Sequence, residues 1–208
     1  MYQYKKESKK GAMDKVTQEI FDCDRCGLAE DCTNKVIGEG NIDSDIVLVG
    51  EAPGKKEDET GRPFVGTAGG LLDELLETAN IDRYDVFITN ILKCRPPGNR
   101  KPYVREINAC LSHLIDQLNI IKPRVIATMG NVATKVFFDK YDIEKRNMNK
   151  VHGHTYQIDT MWGKSTLMPV YHPAAAVYNR NLKPELVKDM KKISNLVTSV
   201  GGLLFPKG

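Results

Sequence analysis

A single domain of three layers, with helices on both faces of a central, mostly parallel β-sheet, is the α/β/α fold class the sequence predicts. Two observations carry this expectation. Short apolar runs alternate with stretches of helical periodicity along the 208 residues, as in a succession of β-α units. That length also suits one sizeable core and is short for two.

The elements follow in order. Residues 1–12 are polar and rich in lysine, so a disordered basic extension is expected there, with the folded domain spanning 13–200 and a flexible tail at 201–208. A short helix is expected from Asp14 to Phe21, then loop and turn up to a first strand at Ile46–Val49. The stretch after it, Gly50 to Gly66, is dense in carboxylates and glycines and suits chemistry better than packing. Leu71, Leu72, Leu75, Leu76 and Ala79 then repeat at helical spacing, in a helix beginning near Thr67.

Asp85–Leu92 reads as a buried strand with Asn90 near its carboxyl end, followed by the proline-punctuated loop Lys93–Pro102. A helix over 103–119 carries Ile107, Leu111, Leu114, Ile115 and Leu118 on one face. Further strands are expected at Arg124–Met129, at a sheet edge within Val151–Ile158, and at Thr166–Tyr171, the last delivering His172 and Pro173. Helices follow Gly130 and Pro184.

Composition excludes several classes. The apolar and charged fractions, 41% and 27%, are those of an ordinary globular chain, which removes collagenous, coiled-coil and fully disordered readings. No apolar run approaches a membrane span, and the basic N-terminus lacks an apolar signal core, so a cytoplasmic location is expected. The net charge of +3 says little alone. Its distribution says more: Lys93, Arg95, Arg100, Lys101 and Arg105 crowd one region, and Lys183, Lys188, Lys191 and Lys192 recur along the last helix. Such groups either meet phosphates or form solvated faces.

There are five cysteines, and structural disulfides are not expected of a cytoplasmic chain. Cys23 and Cys26 form a C-x-x-C pair, whose spacing lets two thiolates grip one metal centre. Cys94 and Cys110 complete a set of four if the N-terminal segment folds over the loop after the Asn90 strand. Spacing does not choose between zinc and an iron-sulfur cluster, nor does it exclude buried, unliganded cysteines. Cys32 has no evident partner and reads as a free thiol.

Three motifs occur in order: G-E-A-P-G-K-K-E-D-E-T-G-R-P-F-V-G at 50–66, T-N-I-L-K-C-R-P-P-G-N-R at 89–100, and H-P-A-A at 172–175. Together they resemble the family 4 uracil-DNA glycosylases, the iron-sulfur class of archaea and thermophilic bacteria, from Cys23 to the last helix. The resemblance implies a DNA-repair hydrolase that flips uracil out of single- or double-stranded DNA and cleaves its N-glycosidic bond. It also implies a [4Fe-4S] cluster on Cys23, Cys26, Cys94 and Cys110. A cousin class that binds uracil covalently carries a His-bearing insertion and a Gln at the position of Ala52, and neither feature is present.

The resemblance further implies residue roles. Phe64 stacks on the flipped base, and Asn90 reads uracil's O4 and N3–H with its carboxamide. His172 donates a hydrogen bond to the O2 of the departing uracil. Glu51, Ala52 and Pro53 line the pocket, and Glu57 crowds the base at C5 and excludes thymine. Another branch of the superfamily orients the attacking water with an Asp where this chain has Ala52, so backbone carbonyls, Glu51 or another carboxylate must take that task here. Val177 or Tyr178 is the expected wedge into the base stack. Arg180, Lys183 and the basic groups from Lys93 to Lys101 would meet phosphates.

Two rival functions are weighed. A phosphate-binding enzyme lacks support, since there is no G-x-G-x-x-G and Lys55-Lys56 has no Walker Ser or Thr in frame. A non-catalytic iron-sulfur nucleic-acid-binding protein of the same fold is disfavoured by the joint presence of Phe64, Asn90 and His172. A monomer is expected. The C-terminal tail is a candidate for docking on a replication clamp, although it lacks the Gln of a clamp-binding box.

Overall fold

A computed structural model describes residues 8–198; the expected C-terminal tail and its clamp contact lie outside the described residues. The chain runs α1 (Lys9–Phe21), α2 (Leu28–Asp31), β1 (Glu39–Gly40), β2 (Ile46–Gly50), α3 (Lys55–Thr60), α4 (Thr67–Thr78), β3 (Phe87–Asn90) and α5 (Val104–Ile121). It continues through β4 (Val125–Met129), α6 (Asn131–Lys140), α7 (Met148–Val151), β5 (Tyr156–Thr160), β6 (Gly163–Val170), α8 (Pro173–Tyr178) and α9 (Lys183–Thr198).

The strands form a six-stranded sheet in the order β1-β3-β2-β4-β6-β5. The inner four are parallel, with Val47 opposite Phe87 on one side and Ile126 on the other. Both edge strands, β1 and β5, run antiparallel to their neighbours. Successive crossovers place β3 and β4 on opposite sides of β2. Its carboxyl end is therefore a topological switch point, where α/β sheets open a crevice.

Strand alternation builds the three layers. Ile46 and Leu48 point to one face, packed with Leu72, Leu75 and Leu76 of α4 and Leu186, Met190 and Ile193 of α9. Val47 and Val49 point to the other, against Leu114 and Leu118 of α5 and Phe137 and Phe138 of α6. All five β2 residues are buried, and this two-faced burial explains a continuous apolar run in place of an alternating one. The expected α/β/α architecture is thus the observed one.

Several elements differ from expectation. Helix α1 starts at Lys9, ahead of Asp14, because Ser8 caps it by accepting from Gly11 N–H. Helices α2 and α3 fall in stretches read as loop, and α7 and α8 fall almost wholly where no element was expected. Each has at most six residues, too few for helical periodicity to register. Strand β3 is shorter than Asp85–Leu92, because Arg83–Asp85 form a 3-10 turn capped by Asp82.

Candidate active site

The carboxyl ends of β2, β3 and β6 open on one cleft of about 550 Å³. Glu51, Ala52 and Pro53 after β2, Glu57 on α3, Phe64 before α4, Asn90 at the end of β3 and His172 after β6 all line it. Residues more than a hundred positions apart in sequence meet because parallel strands deliver them to the same edge of the sheet.

Asn90 is almost wholly buried, and its Oδ1 has no hydrogen-bond partner. Its carboxamide lies against Gly50. A Cβ at Gly50 would sit 2.2 Å from Asn90 Oδ1 and 2.7 Å from Phe64 Cζ. The glycine therefore serves close approach of two cleft groups to the strand end.

Phe64 adopts φ 51°, in the left-handed region that non-glycine residues avoid. Its neighbours hold it there. Arg83 donates from Nη2 to the Pro63 carbonyl at 2.8 Å while pairing with Asp73 and Glu39. On the other flank, Glu57 Oε1 accepts from the Val65 and Gly66 N–H groups at 2.9 and 2.8 Å. Glu57 thus clamps the Phe64 loop as well as lining the cleft, a role for which the sequence gives no periodic or motif signal.

His172 caps α8. Its Nδ1 accepts from the Ala174 N–H at 3.1 Å, which leaves the proton of the neutral ring on Nε2. Burial pushes its pKa down to about 4, against a smaller upward pull from the Glu57 carboxylate, so the ring is neutral over the physiological range. It lies 5.6 Å from the Phe64 ring, tilted by 31°. Glu51 is partly buried, and desolvation raises its pKa while Lys101 lowers it. Val177 and Tyr178 line the same cleft and are exposed, Tyr178 at 90%.

Lys93 overturns its expected contact with phosphate. It is 2% exposed, and its Nζ donates to Thr89 Oγ1, the Asn90 carbonyl and Gln117 Oε1 at 2.7, 3.0 and 2.8 Å. Burial pushes its pKa down to about 8. The residue anchors the end of β3 to α5. Arg100 is likewise engaged, in a two-pronged pair with Glu106 at 2.6 and 2.9 Å, and Lys183 pairs with Glu74. Lys101, Arg105 and Arg180 are exposed. A run of basic letters cannot distinguish these fates, because burial depends on which helix covers the loop.

Cys23, Cys26, Cys94 and Cys110 line a second, much smaller cavity of about 20 Å³. The C-x-x-C pair reaches it because α1 packs along α5. Ile20, Leu28 and Leu92 also line it, as does His113, whose buried Nε2 has no partner. No group of three His, Cys, Asp or Glu side chains among the described residues is arranged around a single metal ion. Cys32, expected to stand alone, donates from its thiol to the Asn34 carbonyl at 3.2 Å, and the neighbouring Cys32 thiol together with burial raises the pKa of Cys94. Among the described residues, no helix is long and apolar enough to cross a membrane.

A family model described as the uracil DNA glycosylase superfamily matches residues 37–193. The type-4 uracil-DNA glycosylase of Archaeoglobus fulgidus is 44% identical over 186 residues, covering 89% of this chain and 93% of that protein. The type-4 enzyme of Thermotoga maritima is 42% identical over 191 residues, covering 91% and 96%. A type-5 uracil-DNA glycosylase of Thermus thermophilus is more distant, at 28% over 181 residues, covering 77% and 81%. With that extent of match at both levels, the chain belongs to the uracil DNA glycosylase superfamily and, within it, to the type-4 uracil-DNA glycosylases.

Proposed function

We propose that this protein excises uracil from DNA by hydrolysing the N-glycosidic bond, leaving an abasic site. The observation that carries the reading is the meeting of Phe64, Asn90 and His172, from three separate segments, around one cleft. A flipped base entering it finds an aromatic face at Phe64, a free carboxamide at Asn90 and an N–H donor at His172 Nε2. The carboxamide supplies one donor and one acceptor, matching uracil's O4 and N3–H and mismatching cytosine's amino group. Asn90's unpartnered Oδ1 supports this reading, since a buried polar atom is costly unless something pairs with it.

In the reaction, the C1′–N1 bond breaks with its electron pair moving to uracil, and charge grows on uracil O2. The His172 Nε2–H stabilises that charge. A neutral donor held in place by Ala174 needs no reorganisation as the charge develops. Water oxygen bonds to C1′, and its proton passes to a carboxylate; Glu51 is our assignment, because it is the partly buried acid directly after β2. Ala52 has no group to offer. Glu57 holds the Phe64 loop and limits the space at the base's C5. Val177 and Tyr178, exposed at the cleft, are placed to enter the gap left in the base stack, and exposed Lys101, Arg105 and Arg180 meet phosphates.

Cys23, Cys26, Cys94 and Cys110 would hold a [4Fe-4S] cluster. Four thiols lining one cavity fit such a group, and so does the unpaired polar nitrogen of His113 in its wall. When bound, the cluster supplies a covalent tie between the segment after α1, the loop after β3 and α5. The enzyme is assigned to the cytoplasm with its DNA.

The test is incubation with oligonucleotides bearing one uracil, single-stranded and duplex, followed by alkali. Cleaved strands are expected; intact strands with the iron-loaded wild-type protein refute the proposal. His172→Ala should cost about 10²–10³ in rate, the range for removing one such donor, while uracil-DNA binding persists. A wild-type rate would remove His172 from the chemistry.

A further inference from the structure

We propose that His113 donates a hydrogen bond from Nε2 to a sulfur of the cluster, and that Arg25, lying inside the C-x-x-C pair, fixes the tautomer that makes it a donor. The inference rests on the proposed [4Fe-4S] group. It concerns a residue outside the four cysteines and outside the uracil cleft.

His113 stands three positions after Cys110 on α5, so both project from the same face of the helix. The imidazole is fully buried, at 0% exposure, and lines the cavity that the cysteines share. Arg25, which lines the same cavity, reaches it. Arg25 Nη1 donates to Ser112 Oγ at 2.7 Å, and Nη2 faces His113 Nδ1 at 3.4 Å. A guanidinium has no acceptor, so Nδ1 must accept and the ring proton belongs on Nε2.

That Nε2–H has no acceptor among the described residues. A buried donor in this position carries its full desolvation penalty unless the occupant of the cavity accepts from it. Thiolate and sulfide sulfurs are acceptors. Hydrogen bonds to cluster sulfurs favour the more negative, reduced state and so raise the reduction potential.

The underlying reading and the inference are separated in one preparation. Protein purified without oxygen is first analysed for iron, sulfide and zinc; four irons and four sulfides per chain establish the cluster, and zinc or no metal sinks that reading first. Nitrogen-15 histidine labelling of the loaded wild type should then show one paramagnetically shifted, solvent-shielded imidazole N–H that is absent from His113→Gln. In His113→Leu the reduction potential should fall and the brown absorption bleach faster in air, with His113→Gln, which keeps an N–H donor, lying nearer the wild type. A loaded wild type with no such N–H signal overturns the proposal, whether or not the Leu variant retains iron. Equal potentials in all three proteins overturn it too, as does a spectrum showing imidazole bound directly to iron.

Discussion

Gly50→Ala is the substitution whose effect follows most directly from the geometry of the cleft. The added methyl would lie 2.2 Å from Asn90 Oδ1 and 2.7 Å from Phe64 Cζ, where real Cβ contacts do not fall below 3.0 Å. Asn90's carboxamide must therefore retreat by about 0.8 Å, and the Phe64 ring is poorly able to share the strain because both ends of its loop are clamped by Arg83 and Glu57. An oversized group in a packed site costs about 1–3 kcal/mol of stability, which a fold of this size survives. Catalysis is hit harder. A displacement near 1 Å in a positioning group costs on the order of 10²-fold in rate, equivalent to about 2.7 kcal/mol in the barrier. The assay is single-turnover uracil release from a single-stranded oligonucleotide, with thermal unfolding measured alongside. Gly70→Ala is the control, since nothing lies within 4 Å of a Cβ there; it should keep wild-type activity and match or slightly exceed wild-type stability. A Gly50→Ala protein that cleaves within a few-fold of wild type would refute the claim that close approach to the β2 end positions Asn90.

Two further outcomes follow from buried titratable groups. Lys93→Met should destabilise by about 1–3 kcal/mol, because Gln117 Oε1 and the Asn90 carbonyl lose their donor, and it should slow excision by loosening Asn90; denaturant unfolding and the same excision assay check both, and an unchanged rate would detach the anchor from function. For pH, the folded-state pKa of His172 lies near 4, below the ordinary 6.5. Between these values the unfolded chain binds a proton that the folded chain declines. This group's contribution to stability is therefore present above pH 6.5 and is lost as the pH falls toward 4. Activity should persist through pH 6 and fall near 4, where a protonated Nδ1 would confront the Ala174 N–H; an acid limb centred near 6.5 in wild type that disappears in His172→Ala would contradict the buried-neutral assignment.

Much of the site was legible in the chain because its chemistry is carried by short motifs at strand ends. Glu51, Asn90 and His172 could be placed at strand ends once the apolar runs were read as strands, and the resemblance of the three motifs to a family added Phe64 to them. The four cysteines could be grouped, although only the packing of α1 along α5 brings the C-x-x-C pair to Cys94 and Cys110. Lys93 was misread. In sequence it belongs to a basic cluster, and its removal from water depends on the cover provided by α5 and on acceptors at Thr89 and Gln117, which sequence proximity does not reveal.

The sequence by itself determined the layered α/β class and the order of the main strands and longer helices, because periodicity is a local property, and its motifs, through their resemblance to a family, named the candidate residues of the cleft. Tertiary structure decided which charges are buried, how Arg83 and Glu57 clamp Phe64 in a left-handed conformation, and which nitrogen carries the proton in His113 and His172. Those features depend on desolvation and on partners tens of residues away or across a turn, and a linear pattern holds no record of either.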